Sequence, residues 1–61
     1  MEEKVTIEQL ITLLEEAKVD YHKFYVKGNK AAATRLRKSL QDVVKLCKTS
    51  REQIIEHKKV L

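Results

Sequence analysis

Proline is absent from this 61-residue sequence and glycine occurs once. Tight turns draw on both residues, so a fold rich in β-hairpins or loops is excluded, and the usual helix breakers are missing too. A single cysteine forbids an internal disulfide. The two histidines, His22 and His57, have no cysteine or carboxylate at metal-ligand spacing, so no metal or other cofactor is expected. There is no run of about 18 apolar residues and no basic-then-apolar leader. Neither a membrane span nor a signal peptide is expected, and a cytoplasmic location follows. No Gly-rich phosphate loop and no Ser/His/Asp set is present. Glu15 and Glu16 are an adjacent acid pair within the first helical stretch, and neighbours on a helix diverge by about 100°, which forbids a carboxylate dyad. The sequence does not read as an enzyme.

What remains, 36% charged and 43% hydrophobic residues, is the balance of an amphipathic helical protein. Thr6 followed by Gln9 fits a capping box, with Val5 placed to staple onto Leu10. Apolar residues then recur at Ile7, Leu10, Leu14, Ala17, Tyr21 and Phe24, with Ile11, Leu13 and Tyr25 widening the stripe. Lys27-Gly28-Asn29 ends the pattern: glycine suits a left-handed helix end, and asparagine caps the next helix. A second seam follows at Ala33, Leu36, Leu40, Val43, Cys47, Ser50, Ile54, His57 and Leu61, broadened by Val44, Leu46 and Ile55. The expectation is a single all-α domain over residues 1–61. It is an antiparallel hairpin of helix 6–26, turn 27–29 and a longer helix 30–59.

Folding at Gly28 opposes Phe24 to Ala33, Tyr21 to Leu36, Ala17 to Leu40, Leu14 to Val43 and Leu10 to Cys47. About ten C-terminal residues, Ile54, Ile55 and Leu61 among them, then overhang the first helix. Cys47 reads as a small hydrophobe of the core, His22 as solvated, and His57 as an edge residue of the overhang. A chain this short buries only about 60% of its extended surface, and no staple is available to compensate. The apolar stripes are also wider than one hairpin can cover. Dimerisation into a four-helix bundle is therefore expected, with Leu10, Leu14, Tyr21, Phe24, Leu36, Leu40, Val43, Cys47 and Ile54 as the core and dimer seam.

The net charge of +4 conceals a strong polarity. Residues 1–20 carry Glu2, Glu3, Glu8, Glu15, Glu16 and Asp20 against Lys4 and Lys18, a net of −4. Residues 21–48 carry Lys23, Lys27, Lys30, Arg35, Arg37, Lys38, Lys45 and Lys48 against Asp42, a net of +7. On a helical projection from Ala33, Lys30, Arg37, Lys38, Lys45 and Lys48 fall between roughly 40° and 140°, away from a seam near 300°. Arg35 flanks at about 200°. A one-signed face is more than solvation demands, and such a face neutralises phosphates and releases their counterions. The amides that open the second helix add partial positive charge, and Ala31, Ala32 and Ala33 allow a close approach. With Tyr21 and Phe24 assigned to the seam, no aromatic is left to stack on bases, so duplex is favoured over single strands.

The run Phe24-Tyr25-Val26-Lys27-Gly28-Asn29-Lys30-Ala31-Ala32-Ala33-Thr34-Arg35-Leu36-Arg37-Lys38 resembles the bacterial histone-like nucleoproteins of the chlamydial linker-histone type. The Lys-Gly-Asn-Lys-Ala-Ala stretch and the Arg-x-Arg pair carry the likeness, which is good from about Lys23 to Leu46. The resemblance implies DNA binding and a part in chromosome condensation in the nucleoid. It points to Lys27, Lys30, Arg35, Arg37 and Lys38, with Gly28 and Asn29 as the turn. Longer members continue into a Lys- and Ala-rich tail; this sequence stops at Leu61 without one and is similar to the short, tail-less members. The expected partners are double-stranded DNA, with RNA as a further polyanion, and a second copy of the chain. The alternative is a dimeric helical protein-interaction module without a nucleic-acid role.

Overall fold

The computed structural model describes residues 4–61; Glu2 and Glu3, counted above in the acidic segment, lie outside the described residues. Two helices, α1 (Ile7–Tyr25) and α2 (Lys30–Lys58), form an antiparallel hairpin with the second helix longer. Thr6 caps α1 with its hydroxyl accepting from the Gln9 amide, while the Gln9 side chain accepts from the Thr6 amide. Two orphan donors are thereby satisfied reciprocally. At the other end, Gly28 takes φ of 70°, its amide donates to the Phe24 carbonyl, and the Asn29 amide donates to the Lys23 carbonyl. This nested clasp is one residue wider than the common Schellman motif and turns the chain at once into α2. Asn29 caps α2 through a 3.2 Å bond from the Ala32 amide.

The helices meet along a line that differs from the expected seam. On α1 the residues withdrawn from solvent are Leu10, Leu13, Ala17, Asp20 and Phe24; on α2 they include Ala32, Leu36, Ser39, Val43, Leu46, Ser50 and Gln53. Both sets alternate steps of three and four. A fold centred on Gly28 sets them level: Phe24 with Ala32, Asp20 with Leu36, Ala17 with Ser39, Leu13 with Val43, Leu10 with Leu46. Short side chains at Ala17, Ala32, Ser39 and Ser50 let the backbones close, which moves bulkier neighbours to the side. Leu14, Tyr21 and Leu40 are accordingly half exposed and Ile54 more so. Leu10, Phe24, Leu36, Val43 and Cys47 are half-buried, and among the described residues only Ala17 and Ala32 are buried.

The overhang is shorter than the helix lengths suggest. Lys4 and Val5 run alongside the end of α2: the Val5 amide donates to Gln53 Oε1 at 2.9 Å, and Lys4 Nζ lies 3.3 Å from His57 Nδ1. An extended segment covers about 3.3 Å per residue against 1.5 Å in a helix, so a few residues reach far along α2. The molecule measures 49 × 18 × 16 Å.

Candidate nucleic-acid interface

The turn and α2 sort the cations from Lys27 to Lys48 into two groups. Lys27, Lys30, Arg37, Lys38, Lys45 and Lys48 are all exposed, on the side turned away from α1. Lys23, not singled out from the sequence, is exposed just before the turn and extends the positive tip. From Lys27 to Lys48 the only carboxylate is Asp42, and it is half-buried. Arg35 stands apart. Its Nη2 lies 3.1 Å from Asp20 Oδ1 and its Nε donates to the same oxygen at 3.2 Å. Asp20 is largely shielded, so this guanidinium braces the two helices and is already partnered.

The start of α2 supplies less than three bare alanines. Ala32 is fully buried and Ala33 half-buried, so Ala31 alone of the three lies open. Of the orphan amides at this end, that of Asn29 is spent on Lys23 and that of Ala32 on the Asn29 side chain. Lys30 and Ala31, which open the first turn of α2, are both exposed beside Lys27.

The aromatic residues do not behave as expected. Tyr25 is 66% exposed and Tyr21 is 50% exposed, their rings 4.7 Å apart, while half-buried Phe24 packs against Tyr25 at 4.8 Å. The cause is the displaced seam, which takes Phe24 inside and leaves the tyrosines on a flank. There, Leu14, Lys18, Tyr21, Tyr25, Leu36 and Leu40 line a groove of about 440 Å³. Farther from the tip, Val5, Ile54 and Leu61 help line another of about 410 Å³. On the opposite flank Glu8, Gln9 and Thr12 border the apolar Leu13 and Leu46, and the Arg35–Asp20 brace lies nearer the tip.

Among the described residues no three His, Cys, Asp or Glu gather as metal ligands, and no helix is long and apolar enough to cross a membrane. The sequence model of the histone H1-like protein Hc1 family matches residues 4–60. The chain belongs to that family. Neither a curated protein nor a solved structure matches it. Membership in the Hc1 family makes it a histone-like DNA-binding protein and not an enzyme.

Proposed function

We propose that this Hc1-family hairpin binds duplex DNA with little sequence preference through the tip and outer face of α2, contributing to nucleoid organisation or compaction. Lys27, Lys30, Arg37, Lys38, Lys45 and Lys48 contact phosphates. Arg35 joins them only by giving up Asp20. The observation that carries the reading is the solvent face from Lys27 to Lys48: six exposed cations and no exposed carboxylate. Phosphate neutralisation of this kind releases counterions and is indifferent to base sequence. The protein acts as a homodimer, because its elongated shape leaves too much surface in water. A compact monomer of 7.1 kDa would expose about 4,100 Å², and this chain exposes 5521 Å².

Electrophoretic shifts across a salt series test the binding. If six phosphates are neutralised, the logarithm of the affinity falls against the logarithm of salt with a slope of about −5. Replacing Lys30, Arg37 and Lys38 together by glutamate abolishes the shift while helicity by circular dichroism is kept. Affinity that ignores salt overturns the reading. Competition between duplex DNA and duplex RNA decides which helix geometry the tip prefers. The open apolar flank favours one other reading, a module that recruits a partner helix. In that case the triple variant loses no nucleic-acid function.

A further inference from the structure

The flank that carries the tyrosines has an order of its own. On α1, Ile7, Ile11, Leu14, Lys18, Tyr21 and Tyr25 follow one another in alternating steps of four and three, and every one is exposed. On α2, Leu40 lies across the same groove, and Val44 and Ile54 are exposed apolar residues that follow it down the helix. This is a second heptad seam, interleaved with the one that holds the hairpin together, and among the described residues nothing covers its tyrosine end. A standard interface takes about 800 Å² from each subunit. The surplus over a compact monomer, about 1,400 Å², is enough to supply it.

Charge decides how a second copy would sit. Lys18 is the one charged residue of the α1 seam. Parallel chains related by a two-fold axis would set Lys18 against its own copy inside an apolar contact, which is costly. An antiparallel pairing sets Lys18 level with Leu14. It also sets Ile7 level with Tyr25 and Ile11 with Tyr21, so each bulky ring meets a branched aliphatic side chain. The long-range charges agree. Residues 16–45, the tip half, carry Lys18, Lys23, Lys27, Lys30, Arg35, Arg37, Lys38 and Lys45 against Glu16, Asp20 and Asp42, a net of +5. The described residues of the other half, 4–15 and 46–61, carry Lys4, Lys48, Arg51, Lys58 and Lys59 against Glu8, Glu15, Glu52 and Glu56, a net of +1. A parallel dimer crowds two strongly positive tips together; an antiparallel one separates them and places each tip beside the far less charged end of its neighbour.

We infer that the flank formed by Ile7, Ile11, Leu14, Tyr21, Tyr25 and Leu40 receives a second copy of the chain in antiparallel orientation, with the two basic tips at opposite ends of the dimer. The inference rests on the dimer proposed above and fixes its geometry. Residue 27 of each chain then lies about 33 Å from its copy, at 1.5 Å per residue along α1. In a parallel dimer the separation is about 10 Å, the spacing of packed helices.

Two experiments in a Cys47→Ser background test it, both without DNA. Proteins carrying Ile7→Cys and Tyr25→Cys are mixed and mildly oxidised; mixed disulfide dimers are expected, with little cross-linking of either protein alone. Cross-linking of each alone, and none between them, overturns the antiparallel order. Because Tyr25→Cys removes a ring from the contact, spin labels at Lys27→Cys, outside the flank, give an independent distance. A long separation supports the proposal and a short one overturns it. Sedimentation of the unsubstituted protein separates the two levels. A monomer at tens of micromolar overturns the dimer itself and leaves the flank to another partner, whereas a dimer with short tip distances overturns the geometry alone.

Discussion

At Gly28 the backbone holds φ of 70°, and nothing lies within 4 Å of where a Cβ would sit. The only obstacle to a larger residue is therefore the chain's own local geometry. Gly28→Ala is expected to cost about 1–2 kcal/mol, the usual penalty of the left-handed region for a residue with a Cβ. Gly28→Asn costs less, since asparagine tolerates that region. Thermal melts followed by circular dichroism read the order Gly, Asn, Ala directly. The glycine and its asparagine were legible in the sequence because each has a specific backbone task, and the observed turn uses both. The Arg35–Asp20 brace was not legible: the two residues are 15 positions apart and meet only once the register is known.

Register is where periodicity alone falls short. Each helix carries two interleaved series with heptad spacing. On α1 these are Leu10-Leu13-Ala17-Asp20-Phe24 and Ile7-Ile11-Leu14-Lys18-Tyr21-Tyr25. Ranking by hydrophobicity favours bulky positions such as Leu14, Tyr21 and Leu40 for the inner seam. The fold instead puts Ala17, Ala32 and Ser39 there, because small side chains let two backbones approach. Helix number, polarity and turn could be read from the pattern; which stripe faces inward depends on volume, which hydropathy does not record. Ala17→Leu tests this at the level of the helix pair. It adds bulk at a position 4% exposed and level with Ser39, and is expected to cost about 1–3 kcal/mol by overpacking. Urea unfolding measures the loss. Were the flank the true inner seam, the same change would stabilise the hairpin.

For the assembled molecule, the proposed antiparallel pairing makes a length prediction. Tips about 33 Å apart nearly match one turn of B-DNA, about 34 Å. One dimer can then set both tips on the same face of a duplex. Fluorescence anisotropy with duplexes of stepped length is expected to show affinity climbing steeply as the DNA grows past one turn, then levelling off. Flat affinity below and above that length would mean that each tip engages DNA alone.

The difference between the two flanks has a further consequence. One presents Leu14, Tyr21, Tyr25 and Leu40; on the other, Glu8, Gln9 and Thr12 surround Leu13 and Leu46, and the Arg35–Asp20 brace crosses nearer the tip. A hairpin sticky on both sides could add copies without end. In the proposed dimer each hairpin has a valence of one: association through the tyrosine flank uses up that side on both members, and growth stops at two. Any extension of the assembly must then run through the nucleic acid rather than through protein, leaving the spacing of the proteins to the DNA that carries them.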